Sequence, residues 1–206
     1  TMDREPYITF DETRPESYWD DFFCDLLAMM APVLAAVSGA LVALAAGAFV
    51  PAGALMGLGA GLLLNFYYSY DFTFFPRLNI VSLLKTVKVS GVKPVACTLD
   101  GTIIGRGVPG LIYSEDFVMQ DDSGIIFLDY RQPLAIWNFF FGLLRAGDYV
   151  NRRVTVTGWY RRAPVPYVEI KTLEVDGRRS NCYAYVMKQV FGALLIAAGL
   201  ALMFVF

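Results

Sequence analysis

Histidine is absent from all 206 residues. Within this chain that excludes an HExxH zinc site, Ser-His-Asp and Cys-His nucleophile systems, and any imidazole metal cluster. Charge is scarce as well, at 17% of residues, and is missing altogether from Leu26 to Tyr70. Cysteine is confined to Cys24, Cys97 and Cys182, far apart and without a CxxC pair. That pattern makes neither a disulfide framework nor a cysteine zinc site, and points to reduced thiols. No basic segment precedes a short apolar core near Thr1, so the first hydrophobic segment is expected to be a retained span and not a cleaved signal.

What fills the chain is apolar: 56% hydrophobic and 15% aromatic residues, with a mean hydropathy of +0.49. A bilayer core about 30 Å thick is crossed by about 20 apolar helical residues, so the uncharged run predicts a transmembrane helical hairpin over 26–70, its first span over about 26–50 and its connection around Pro51. Ala35, Gly39, Ala43 and Gly47 recur at intervals of four in the first span, as do Gly53, Gly57 and Gly61 in the second. Small residues on one face let helix backbones approach, so these seven are the predicted helix-packing positions. Phe66, Tyr67, Tyr68, Tyr70, Phe72, Phe74 and Phe75 read as an aromatic belt at the exit. Val190 to Phe206, anchored by Tyr183, Tyr185 and Lys188, reads as a third span within 177–206.

Eight acids against two arginines mark residues 1–25 as an acidic segment, while fifteen of the seventeen Lys and Arg residues follow Tyr70. Arg77, Arg178, Arg179 and Lys188 flank the spans, so the positive-inside rule puts the intervening domain and the acidic segment in the cytoplasm of an integral membrane protein.

After a juxtamembrane linker, 71–92, the region 93–176 changes to short alternating runs separated by Gly, Pro and Asp. Strands are predicted at Pro94–Ile104, Phe117–Gln120, Gly124–Tyr130, Arg153–Tyr160 and Tyr167–Leu173, with turn chemistry at Asp121-Asp122-Ser123-Gly124. A run of helical length, 133–146, separates the third strand from the fourth, which is the OB-fold order. That helix is apolar nearly all round, so one face is expected to cover the barrel and the other to meet lipid or the spans. The expected fold is three transmembrane helices with an inserted five-stranded OB-like barrel.

Gly105 to Gly110 match GxGxxG, but no helix opens there and Pro109 interrupts the turn, so a glycine-rich turn is the better reading than a dinucleotide site. Glu115-Asp116 and Asp121-Asp122 read as solvated turns and not as an acid and base pair. Between Pro94 and Asp176 eight basic residues face ten acids, which is no footprint for nucleic acid. Arg106, Tyr130, Arg131, Trp159, Tyr160, Arg161 and Arg162 are the candidate exposed rim for a protein partner or anionic lipid headgroups, although the same residues serve equally well as structure. No catalytic, cofactor or metal residue is assigned; an enzyme using carboxylates or Cys97 is the reading set aside.

The strings GTIIGRGVPGLIYSEDFVMQDDSGIIFLDYRQPL and VTVTGWYRRAPVPYVEIKTLE resemble the C-terminal region of some HtpX-like membrane zinc metalloproteases, over roughly 75–206. The resemblance implies a metalloprotease domain, in the same chain or as a membrane partner, for which this region is a non-catalytic accessory. The family's HExxH helix and acidic zinc ligand have no counterpart here, so no catalytic residue carries over. Thr1 before an acidic tail is compatible with a piece that follows such a domain, and Met2 with a free-standing product. In layout the chain also resembles NfeD-like membrane proteins, which implies a free-standing scaffold as the alternative.

Overall fold

The computed structural model describes residues 15–86, 89, 92–107, 116–162 and 165–205, with side chains from Phe22 onward. The acidic residues before position 15, the Val108-Pro109-Gly110 half of the glycine run, Glu115 and Phe206 lie outside them.

Helix α1, Pro15–Ala45, carries the first apolar span from Phe22 to Ala45. It stops five residues earlier than the sequence suggests, because Gly47 takes a left-handed φ of 66° and the Ala48 amide turns back to the Ala43 carbonyl at 2.8 Å. The connection is therefore 46–49. Pro51 lies in the first turn of α2, Val50–Ser69, where a missing N–H is harmless. A third long helix, Val186–Val205, closes the chain, and all three are long and apolar enough to cross a membrane.

Tyr70 leaves the second helix in extended backbone. Residues 76–78 then run beside a barrel strand, with Thr98 N bonded to Pro76 O at 2.8 Å and Leu78 N to Thr98 O at 3.0 Å. Helix α3, Ile80–Lys85, follows with Asn79 as its cap and buries Ile80 and Leu83 in the barrel core. The predicted linker is thus built into the domain.

Strands β1, Val95–Arg106, β2, Phe117–Gln120, and β3, Ile125–Asp129, form an antiparallel meander. Helix α4, Ala135–Leu144, and a 3-10 turn at Ala146–Tyr149 lead to β4, Arg153–Arg162, and β5, Pro166–Val175. The sheet order is β3-β2-β1-β4-β5, closed by a parallel β3–β5 pairing of Leu128 with Val168. All five predicted strands are present. A sixth, β6, Arg178–Asn181, hairpins onto β5 through Asp176 and Gly177, both at positive φ, and its polar sequence gave no strand signal. The closing helix is α5. Leu99, Ile103, Phe117, Met119, Leu128, Val156, Tyr160, Val168 and Leu173 fill the barrel interior.

In the helical part α2 is the middle element. On one side small residues interlock with α1: a methyl group added at Gly61 would lie 2.5 Å from the Ala31 carbonyl, one at Gly53 2.5 Å from the Ala43 methyl, and one at Gly57 would strike the Ala35 carbonyl. Gly39 faces Gly53 and Gly57. Of the seven predicted packing positions only Gly47 is not at this seam, since it serves the turn. On the other side Gly59 meets Gly192, and Gly199 meets Ala52 and Met56, a second seam on α5.

Candidate functional site

Alternation along β4 points Val154, Val156, Gly158 and Tyr160 into the barrel and Trp159 and Arg161 outward. Outward side chains of a small barrel ordinarily meet water. Here Trp159 has no exposed surface, because Phe66, Tyr70, Phe75 and Tyr185 close over it from the chain leaving α2 and the chain entering α5. Tyr70 and Tyr185 pack edge-on at 4.8 and 5.0 Å between ring centroids, and the indole N–H donates to the Asp71 carbonyl at 2.9 Å. The predicted aromatic belt is accordingly divided. Phe66 and Tyr70 are buried in this junction, while Tyr67 and Phe74 stay exposed.

Beside the indole, Arg161 Nε donates to Glu169 Oε2 at 2.7 Å, with both side chains nearly buried. Tyr70 Oη donates to the other carboxylate oxygen at 2.9 Å, and the guanidinium lies 5.1 Å from the centroid of the Tyr70 ring. Burial, then the Glu169 charge, pushes the Tyr70 phenol up and keeps it a donor. Burial works against the Arg161 charge, but the Glu169 carboxylate together with the Tyr70 and Tyr167 hydroxyls outweighs it, so the guanidinium stays protonated. Lys171 Nζ sits 4.4 Å from the Phe75 ring centroid on the same junction.

The seven predicted rim residues therefore separate. Trp159, Tyr160 and Arg161 are buried, and so is Tyr130, which stacks on Phe141 at 3.9 Å beneath α4. The expectation that they form an exposed surface is corrected: Tyr160 is barrel interior, Tyr130 is covered by α4, and Trp159 and Arg161 belong to the junction. Arg106 is partly buried and donates to the Gly142 carbonyl of α4. Arg131, paired with Asp129 at 2.9 Å, and Arg162 remain at the surface. Glu169 was missed, and Tyr70 and Tyr185, expected as membrane-exit and anchor residues, pack on the barrel instead. Glu169 alternates with inward Val168 and Ile170 and so was legible as outward, but nothing local announced that outward meant covered.

Asp121 is a structural turn residue. Burial disfavours its charge, yet the Ser123 hydroxyl and the amides of Ile80, Ser123 and Gly124 hold its carboxyl below the usual range, and its second oxygen fixes the start of α3. Cys97 and Cys182 are buried, and burial pushes both thiols up to about 12, so neither is a nucleophile at neutral pH. Among the described residues no three of His, Cys, Asp and Glu converge to hold a metal ion. Compared with known proteins, the chain matches no family model and no curated sequence.

Proposed function

We propose that this chain is a non-catalytic membrane module that anchors an OB-like barrel and holds it in a fixed orientation on the cytoplasmic side of the cell membrane, to recognise a protein partner or substrate. The observation that carries this reading is the junction around Trp159. An anchor alone needs only a flexible tether, whereas here both connections, at Tyr70 and Tyr185, are packed onto one barrel face and tied by the Arg161–Glu169 pair. Fixed orientation is what such packing provides. The parallel closure of β3 on β5, with a helix between the third and fourth strands, supports the OB reading, and Arg77, Arg178 and Arg179 beside the span ends support the cytoplasmic side.

The partner implied by the sequence resemblance is a membrane zinc metalloprotease domain, in cis or as a separate chain, with exposed Arg131 and Arg162 the remaining contact candidates. The test is purification of the native protein from its membranes with an antibody against the barrel. Metal-dependent proteolysis, in a larger chain or in a co-purifying one, supports the accessory role. A 22.9 kDa chain that brings other membrane proteins but no protease would replace it with the free-standing scaffold.

A further inference from the structure

Helix α4 has no part in the junction. Ile136, Trp137, Phe139, Phe140, Leu143 and Leu144 are all exposed, and at helical spacing they make an uninterrupted apolar arc of roughly 160°. The opposite side is spoken for. Phe141 stacks on Tyr130 and meets Phe117 and Tyr149, the Gly142 carbonyl accepts from Arg106, and Asn138 accepts from the Gln132 amide at 2.7 Å. The arc is therefore the outer surface of a helix already seated on the barrel.

Its start is tied to β6, the strand that leads toward the third long helix. The Gln132 side-chain amide, three residues before α4, donates to the Asn181 carbonyl at 2.9 Å and to Tyr130 Oη at 3.0 Å. Asn181 in turn reaches Tyr183 Oη at 3.5 Å, and α5 begins at Val186. The start of α4 is thus held beside the residues from which the chain enters α5. Exposed Arg131 and Arg145 bracket the helix. A wide uncharged arc with a tryptophan, bracketed by arginines and tied to the strand that leads into a span, is the pattern of a helix lying in a bilayer interface. A protein-docking patch would carry a polar rim along its length, and this arc has none.

We propose that α4 is an interfacial helix whose exposed arc inserts into the leaflet at which α5 begins, with lipid as its occupant. The inference rests on the reading that the long helices cross a membrane. It gives the barrel a third attachment, besides the chain at Tyr70 and the chain at Tyr185.

The test uses the full chain in liposomes with anionic lipid, carrying Cys24→Ser and a single nitroxide at Phe140→Cys or Leu144→Cys. Leu41→Cys, exposed on α1, and Asp122→Cys, in the β2–β3 turn, are the lipid and water references. The α4 labels should match the Leu41 label, colliding freely with oxygen and roughly tenfold less than the Asp122 label with a water-soluble nickel chelate. Nickel collision equal to that of Asp122 overturns the proposal. Shielding from both reagents also overturns it, and dipolar broadening lost on dilution with unlabelled protein would then identify a second copy. A water-like Leu41 label would remove the membrane reading itself, a different failure. Brominated-lipid quenching of the unlabelled protein gives a check without cysteines: the quenchable emission should fall on Trp137→Phe, and an unchanged quenchable fraction overturns the proposal.

Discussion

The side-chain amide of Asn65 donates to the Ala28 carbonyl at 2.8 Å, and Ala28 stands four residues before Pro32. Proline has no N–H to return to that carbonyl, so α1 leaves an acceptor open, and α2 supplies the missing donor. The Asn65 oxygen in turn lies 3.4 Å from Lys188 Nζ on α5. The single amide side chain in the uncharged run thereby joins all three helices.

Replacing Asn65 by leucine should destabilise the helical bundle by about 1–2 kcal/mol, since the Ala28 carbonyl is left without a donor in apolar surroundings. Pro32→Ala restores an N–H to α1. The cost of Asn65→Leu should therefore shrink by about half in the Pro32→Ala background, the remainder belonging to Lys188. Unfolding of the detergent-solubilised protein, followed by its helical circular dichroism, measures both; equal costs in the two backgrounds would dissociate Asn65 from the proline.

Arg161 and Glu169 form a diagonal pair across β4 and β5, since Trp159 is the residue directly opposite Glu169. With both side chains nearly buried, removing one partner leaves an unpaired charge under the helices. Arg161→Ala should cost about 3 kcal/mol or more, and Arg161→Met combined with Glu169→Leu should recover most of it. The positioning role has its own readout. Distances between a spin label on Asp122 and one on Leu41 should be narrowly distributed in the native protein and broaden in Arg161→Ala. A broad distribution in the native protein would mean that the junction does not hold the barrel still.

Much of this architecture was legible because apolar period and length are local properties. The hairpin follows from an uncharged run, and the strands follow from alternation such as Val154-Thr155-Val156. What was not legible depends on partners distant in sequence. Trp159 and Arg161 looked like a rim because outward residues of a strand usually meet water, and only the fold brings Tyr70 and Tyr185 across them. Gly47 fitted the four-residue spacing, yet its left-handed φ ends the helix at Ala45, before that use. β6 is Arg-Arg-Ser-Asn, a strand held by its ladder to β5 and by no propensity of its own.

The two glycine seams predict separable effects. Gly57→Val drives a branched side chain into the Ala35 carbonyl and should part α1 from α2, whereas Gly59→Val strikes the Gly192 carbonyl and should part α2 from α5. Gly47→Ala meets no neighbour, and its cost should be the left-handed backbone alone, about 1 kcal/mol. Disulfide trapping reads the seams one at a time, with engineered cysteine pairs across α1–α2 and across α2–α5. Loss of both crosslinks with either valine would mean that the bundle is one cooperative unit and not two seams.

Asp129 gives the barrel a dependence on pH. Burial pushes its carboxyl up to about 6 from an ordinary 3.8; Arg131 opposes the shift, and the charges of Asp116 and Glu169 add to it. The folded chain therefore holds this proton more tightly than the unfolded chain does. Stability linked to Asp129 is fully present below about 3.8, falls as the pH rises through about 6, and is level above that. The loss at neutral pH amounts to about 2–3 kcal/mol. Asp129→Asn cannot ionise and keeps an oxygen for the Arg131 Nε donor, so it should be more stable than the native protein at pH 7.5, with the difference vanishing near pH 4. Urea midpoints measured across that range decide the matter: a native protein whose stability relative to Asp129→Asn stays level from pH 4 to 7.5 would mean that the Arg131 charge offsets burial and that the carboxyl is not raised.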